Sequence, residues 1–133
     1  MNVVFADTFY FVGLTNRLDA AHADCVAFSN SYRGKILTTD WILVEYADAM
    51  CATRHRSAVG RYVQELPVSP NVVFIPFSRP LFDQGLALYI SRPDKQWSLT
   101  DCISFVIMRE RGLTDVLTGD HHFEQAGFKA LLK

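Results

Sequence analysis

Short apolar runs alternate along this chain with stretches whose apolar residues recur every three or four positions. Val3-Val4-Phe5-Ala6 is apolar throughout and β-branched at its start, which predicts a strand buried on both faces and ending at Asp7. An aromatic-rich segment at 8–14 predicts a first helical turn. From 19 to 32, Ala20, Ala23, Val26 and Ala27 keep helical spacing, and Gly34 follows as a stop. Residues 35–39 predict a second strand. Thr39 or Asp40 then caps a helix over 41–54 that turns Ile42, Tyr46 and Ala49 toward a core. A further helix over 57–66 closes at Pro67, and 71–76 predicts a third strand. Ser78 caps a helix with Pro80 in its first turn, Leu81, Gly85 and Leu88 inward, and Pro93 as its stop. Ser98 opens a helix that runs to Arg111 and ends at Gly112. Residues 115–118 predict the last strong strand, and 123–132 a short helix or tail. Strand and helix thus alternate at least four times. Each parallel pairing needs a crossover, so the pattern predicts an α/β fold with a mainly parallel central sheet.

At 133 residues the chain fits a single domain over 1–133. Half of its residues are hydrophobic and 20% are charged, which excludes a disordered tail and a disulfide scaffold. The net charge of −1 gives no polycationic coat, so any nucleic acid must be held by a local patch. Arg54, Arg56 and Arg61, with His55 beside them, form such a patch or simply a solvated helix end. Cys25, Cys51 and Cys102 are widely spaced among apolar neighbours and make no C-x-x-C pair. All three are expected to fill the core. Residues 1–7 carry no basic stretch ahead of the apolar run, and Asp7 interrupts it. No signal peptide or membrane span is expected, and a reducing cytoplasm is the default.

The acidic residues change this picture most. In parallel α/β sheets, ligands bind beyond the carboxyl ends of the strands. Asp7 ends the first strand and Asp120 lies just past the last. Glu45 and Asp101 fall in the opening turns of two helices that can start at the same edge. Four carboxylates from distant segments can therefore converge. Such a cluster is tolerable only if protons or cations neutralise it. An all-oxygen, all-anionic donor set suits Mg²⁺ or Mn²⁺ rather than Zn²⁺. Bound there, such an ion polarises a phosphoryl oxygen and acidifies water, so metal-assisted phosphodiester hydrolysis is the chemistry suggested. Plainer readings stand beside this one. Ser98-x-x-Asp101 matches a capping box, Glu45 fits a solvated helix face, and Asp7 and Asp120 fit ordinary turns.

Four blocks make the chain resemble the PIN-domain family, in particular the VapC-like ribonuclease toxins of type II toxin–antitoxin systems. They are V-F-A-D-T with Asp7, T-T-D-W-I-L-V-E-Y with Glu45, W-S-L-T-D-C-I-S-F with Asp101, and L-T-G-D-H-H-F-E-Q-A-G-F with Thr118, Asp120 and Phe123. The resemblance spans essentially the whole chain, and its last two blocks at their spacing are the specific part. It implies a three-layer α/β/α domain and a Mg²⁺- or Mn²⁺-dependent endoribonuclease leaving 5′-phosphate and 3′-hydroxyl ends. By the same resemblance Asp7 and Asp101 are direct metal ligands. Glu45 and Asp120 complete the site, and Thr118 hydrogen-bonds a neighbouring carboxylate. The implied partners are RNA, a small antitoxin and a second copy of the chain. Gly119, between Thr118 and Asp120, is expected to leave its loop flexible.

The remaining residues of note attract blander expectations. His121 and His122 adjoin Asp120, but neighbours in a helix point apart, so neither is assigned a catalytic role. His22 is read as structural. Phe9, Tyr10 and Phe11 suit the core or a dimer surface. Phe82, Leu86, Tyr89 and Ile90 form an apolar stripe assigned first to the core, then to a partner groove. Trp41 and Trp97 precede acidic helices and either wall the site or pack. A non-catalytic RNA- or protein-binding module on the same fold is the competing function, and loss of an acid would favour it. A phospho-acceptor domain needs a strand-end Lys, and a D-x-D phosphatase needs an Asp two residues after Asp7. Neither is present.

Overall fold

The computed structural model describes residues 2–52 and 54–133. Its strands are β1 (Val3–Ala6), β2 (Lys35–Thr39), β3 (Val72–Ile75), β4 (Asp115–Leu117) and β5 (Lys129–Ala130). They form one sheet in the order β3-β2-β1-β4-β5, and every pairing is parallel. The register sets Phe5 beside Leu37 on one side and Val116 on the other. All three are buried, as befits the middle of a sheet covered on both faces.

Among the described residues, seven helices supply the cover: α1 (Thr8–Thr15), α2 (His22–Ser31), α3 (Asp40–Ala49), α4 (Arg56–Glu65), α5 (Arg79–Ser91), α6 (Leu99–Glu110) and α7 (His121–Gln125). From β1 the chain steps outward to β2 and β3, then crosses back to β4 and β5 on the other side. Crossovers are right-handed, so the two directions of travel place their helices on opposite faces. Accordingly α1 packs on α2 and α3, and α3 on α4, while α6 packs on α5 and α7. The result is a three-layer α/β/α arrangement. Strand order reverses between β1 and β4, and the crevice outside their carboxyl ends is the place such sheets reserve for ligands.

Several element ends differ from expectation for local reasons. α2 begins at His22 rather than 19 because Asp19 Oδ1 accepts the Ala21 amide at 2.8 Å, which makes a turn first. α3 ends at Ala49, not 54; Thr53 lies outside the described residues. The turn that follows presents the Cys51 carbonyl to Arg56 Nη1 at 2.7 Å. Cys51 is exposed there, against the expectation of core filler, whereas Cys25 and Cys102 are buried. Pro67 does not simply close α4 but continues it as a 3-10 turn, Leu66–Val68, where its missing N–H is harmless. The stripe on α5 also divides. Leu81, Phe82 and Leu88 pack on the core, but Tyr89 and Ile90 are 50% and 68% exposed, since the helix has turned them past the contact line.

The fifth strand was hidden in the sequence by its length of two residues. What creates it is a reversal after α7. The Phe128 amide reaches the Phe123 carbonyl at 3.0 Å and the Gly127 amide reaches Glu124 at 3.0 Å, with Gly127 at φ +95°. The same arrangement ends α6, with Leu113 to Met108 at 2.8 Å, Gly112 to Arg109 at 3.2 Å and Gly112 at φ +65°. In both, only the residue without a Cβ enters the left-handed region cheaply.

Candidate active site

β1 delivers the residue that follows it to the crevice. Asp7 stands at the N-cap position of α1, yet its side chain makes no cap bond. Instead Thr118, just past β4, donates its hydroxyl to Asp7 Oδ2 at 2.8 Å. The same Thr118 oxygen accepts the Asp120 amide at 3.1 Å. One buried hydroxyl therefore ties the ends of the two strands at the switch point and sets the path of the loop to α7. Gly119 lies in that loop. A Cβ there would lie 2.6 Å from the Phe9 ring, so the residue is small because the ring covers it.

Glu45 comes from the second turn of α3, a helix started by Thr39, whose side chain accepts the Ile42 amide at 3.1 Å. Its Oε1 receives the hydroxyl of Thr8, the first residue of α1. Asp101 does close a capping box: its Oδ2 accepts the Ser98 amide at 3.1 Å while Ser98 Oγ accepts the Asp101 amide at 3.0 Å. Capping uses one oxygen of that carboxylate and leaves it 8% exposed beside the other acids. Asp120 caps α7 by accepting the His122 amide at 2.9 Å.

The four carboxylates feel one another. Burial pushes Asp7 up to about 7; the Thr118 hydroxyl opposes the rise, and the charges of Asp101 and Glu45 add to it. Glu45 is also raised, first by burial, against the Thr8 hydrogen bond, then by Asp101, Asp120 and Asp48. Asp101 is raised by burial, held back by its bonds to Ser98 and by His122, and raised further by Asp120. Side chains 94 positions apart in sequence, Asp7 and Asp101, thus share one electrostatic site.

His122 is the residue that the sequence reading passed over. Its Nδ1 lies 3.2 Å from Asp120 Oδ1 and 3.6 Å from Asp101 Oδ2. His121 does not point away either: its Nδ1 is 3.6 Å from Asp120 Oδ1, and the two imidazoles are 4.3 Å apart. Both occupy the first turn of α7, where the rings fold back over the cap. The available signal was position, since a residue two past an N-cap Asp is bonded to it through its own amide. Among the described residues, Asp120, His121 and His122 also form a group whose donor atoms all lie within 4.8 Å of one another. A shallow recess of about 240 Å³ opens beside the two histidines, lined further by Asp94, Lys95, Gln96 and Gln125.

Other candidates settle into structural work. His22 Nδ1 pairs with the Gly13 carbonyl at 2.7 Å. Tyr10 and Phe11 are core residues. Trp97 is buried, with its indole N–H on Gln125 Oε1 at 3.0 Å, and Trp41 packs edge-on against Phe77 at 5.3 Å.

A parallel α/β/α sheet with carboxylates gathered at its switch point is the architecture of a PIN-like domain. Over 129 residues, 95% of each chain, the sequence is 26% identical to the 23S rRNA-specific endonuclease VapC20 of Mycobacterium tuberculosis, in either of two strains. The crystal structure of M. tuberculosis VapC20, described as a sarcin–ricin loop cleaving toxin, superposes with a TM-score of 0.89 at 21% identity, covering 99% of this chain and all of that one. No protein-family model matches the chain. The chain is thus similar to VapC20 in sequence over 95% of its length and in fold over 99% of it.

Proposed function

We propose that this protein is an endoribonuclease of the VapC kind, the toxin of a type II toxin–antitoxin pair, working in the cytoplasm and held in check by a small antitoxin. A single domain over 1–133 carries the activity. The observation that supports it most is the convergence of Asp7, Glu45, Asp101 and Asp120 at the sheet's switch point, with Asp7 driven up to about 7 by burial and by its neighbours. Uncompensated carboxylates at such a place call for a cation. The donors are oxygens, with an imidazole alongside, which fits Mg²⁺ or Mn²⁺. Asp7 and Asp101 would hold the ion, and Asp120 and Glu45 would complete the site. Bound, it would supply charge neutralisation at the scissile phosphate and a more acidic water.

The chain's own groups have definable tasks. Thr118 aims Asp7 through the Oδ2 contact. Thr8 engages Oε1 of Glu45 and leaves Oε2 for a water. Glu45 has a raised proton affinity, so it is suited to take a proton from the water that attacks phosphorus. Cleavage of the P–O3′ bond then leaves a 5′-phosphate, and the departing O3′ takes a proton from solvent to become the 3′-hydroxyl.

The substrate class follows the relative: ribosomal RNA presenting a sarcin–ricin-type loop is the first to try. Purified protein with Mg²⁺ or Mn²⁺ should cut a labelled RNA hairpin of that sequence, and chelation should stop it. Cleavage by Asp7→Asn at the wild-type rate would overturn the assignment. Two copies are expected to pair through apolar side chains left uncovered on and beside α3 and α5, among them Val44 at 49% and Phe77 at 56% exposure. Sedimentation as a monomer at micromolar concentration would refute the pairing.

A further inference from the structure

Away from the carboxylates, the turn from α3 into α4 builds a basic hollow. Arg54, Arg56 and Arg61 line it with Ser57, Gly60 and Gln64, around a volume of about 650 Å³. No acidic residue lines it. Among the described residues, Arg54 and Arg61 have no carboxylate within 4 Å, although Glu65 sits one helical turn after Arg61. Arg56 gives one guanidinium nitrogen to the Cys51 carbonyl and carries further N–H donors on the other two. Three arginines are therefore concentrated in one hollow of a chain whose net charge is −1. Like charges so placed repel, and a polyanion is what relieves them. Gly60 adds no side chain to the hollow, and nothing lies within 4 Å of where its Cβ would be, so the concavity stays open.

We infer that this hollow is a phosphate-binding subsite for the RNA backbone, gripping the substrate away from the scissile bond. The inference rests on the endoribonuclease reading above. Planar guanidinium forks match phosphate oxygens in pairs, and such contacts position a nucleic acid without reading its sequence. Reach is adequate. From Glu45 the chain climbs to Ala49 at ~1.5 Å per residue and crosses to Arg54 at ~3.6 Å per residue, so the Cα of Arg54, at the edge of the hollow, is at most about 24 Å from that of Glu45. A strand of a few nucleotides spans that distance. The division of labour is physical: the anionic site repels RNA until a cation is present, and a cationic hollow nearby offsets that repulsion.

The test measures kcat/KM for cleavage of the labelled sarcin–ricin hairpin in Mn²⁺ between 50 and 200 mM KCl. The proteins are wild type, the triple variant R54A/R56A/R61A, its lysine counterpart R54K/R56K/R61K, and Arg33→Ala as a control that does not line the hollow. The alanine triple should lose about tenfold or more in kcat/KM at 50 mM KCl through KM, with kcat within about twofold. Its plot against log salt should be shallower by about two to three, since each phosphate contact contributes ~0.7–0.9 to the slope. The lysine triple should keep most of the slope, and Arg33→Ala all of it. If wild type cuts RNA but the alanine triple shows the same slope and KM, the subsite is refuted while the enzyme stands. Should the alanine triple keep its RNA kinetics but lose retention on immobilised polyglutamate, the hollow binds an acidic polypeptide instead and the RNA inference falls. No cleavage by wild type would sink the endoribonuclease reading itself, and this inference with it.

Discussion

The two ends of the sheet bury titratable groups to very different effect. At the amino end, residues preceding β2 and β3 border a cavity of about 710 Å³ that Tyr10, Phe28, Tyr32 and Tyr62 also line. Burial pushes Tyr10 and Tyr62 up, so both phenols stay protonated across the physiological range. At the carboxyl end, the same desolvation acts on a carboxylate and brings Asp7 up to about 7. One physical cause makes a phenol inert and makes an acid responsive at working pH. What further separates the ends is company: Asp7 is raised again by Asp101 and Glu45, whereas the tyrosines face mainly one another and aromatic rings. The larger cavity is therefore not where the chemistry belongs.

The sharpest way to break this contrast is to neutralise one acid. Asp7→Asn should reduce RNA cleavage on the order of a thousandfold or more, because the site stabilises its transition state by several kcal/mol. The folded sheet should persist, and the metal-free variant should melt higher than wild type. A lower melting temperature would mark Asp7 as structural.

Next in size is a pH effect. The unfolded Asp7 has a pKa near 3.8 and the folded one is raised to about 7, so the native state binds the proton more tightly. Its contribution to stability is full below about pH 4 and is lost as pH rises through 7. At ~1.4 kcal/mol per unit the loss is on the order of 4 kcal/mol, shared among coupled acids. Metal-free protein should thus melt lower at pH 8 than at pH 5.5, more so than Asp7→Asn does, and added Mg²⁺ or Mn²⁺ should recover stability most at pH 8. A melting temperature insensitive to pH over that interval in wild type would contradict the raised acid.

Thr118→Val comes third. It removes the buried donor to Asp7 and the acceptor for the half-buried Asp120 amide, at about 1–3 kcal/mol, and shifts the midpoint of that pH dependence upward. Chemical denaturation at two pH values checks both effects. The smallest change is expected at the other end. Tyr62→Phe deletes a phenol that remains neutral, so stability should move by less than about 1 kcal/mol with no change in pH profile between 5 and 9. If it altered RNA cleavage tenfold, the amino-end cavity would have a role that the comparison denies it.

Different features of the site were legible to different degrees. Each acid carried a local cue: a strand end, a helix opening, a Ser-x-x-Asp box. The structure makes the box and the shared electrostatics compatible, because the Asp101 oxygen that accepts the Ser98 amide still lies 3.6 Å from His122 Nδ1, and the carboxylate still feels Asp120. His122 was missed because the rule that helical neighbours diverge describes a helix interior, and α7 is five residues long with both rings folded over its cap. At Gly119 the sequence offers only the backbone freedom of the residue, whereas the Phe9 ring lying against it is what leaves no room for a Cβ.

Periodicity by itself determined the parallel α/β layering, since strands buried on both faces and amphipathic crossovers have few other ways to hide their apolar surface. It also determined where Cys25 and Cys102 lie. Only the tertiary structure decided the side of β1 on which β4 lands, the hydroxyl bridge from Thr118 to Asp7, the two-residue β5 and the exposure of Cys51. These depend on contacts between residues far apart in sequence, and no local pattern encodes which distant neighbour will arrive.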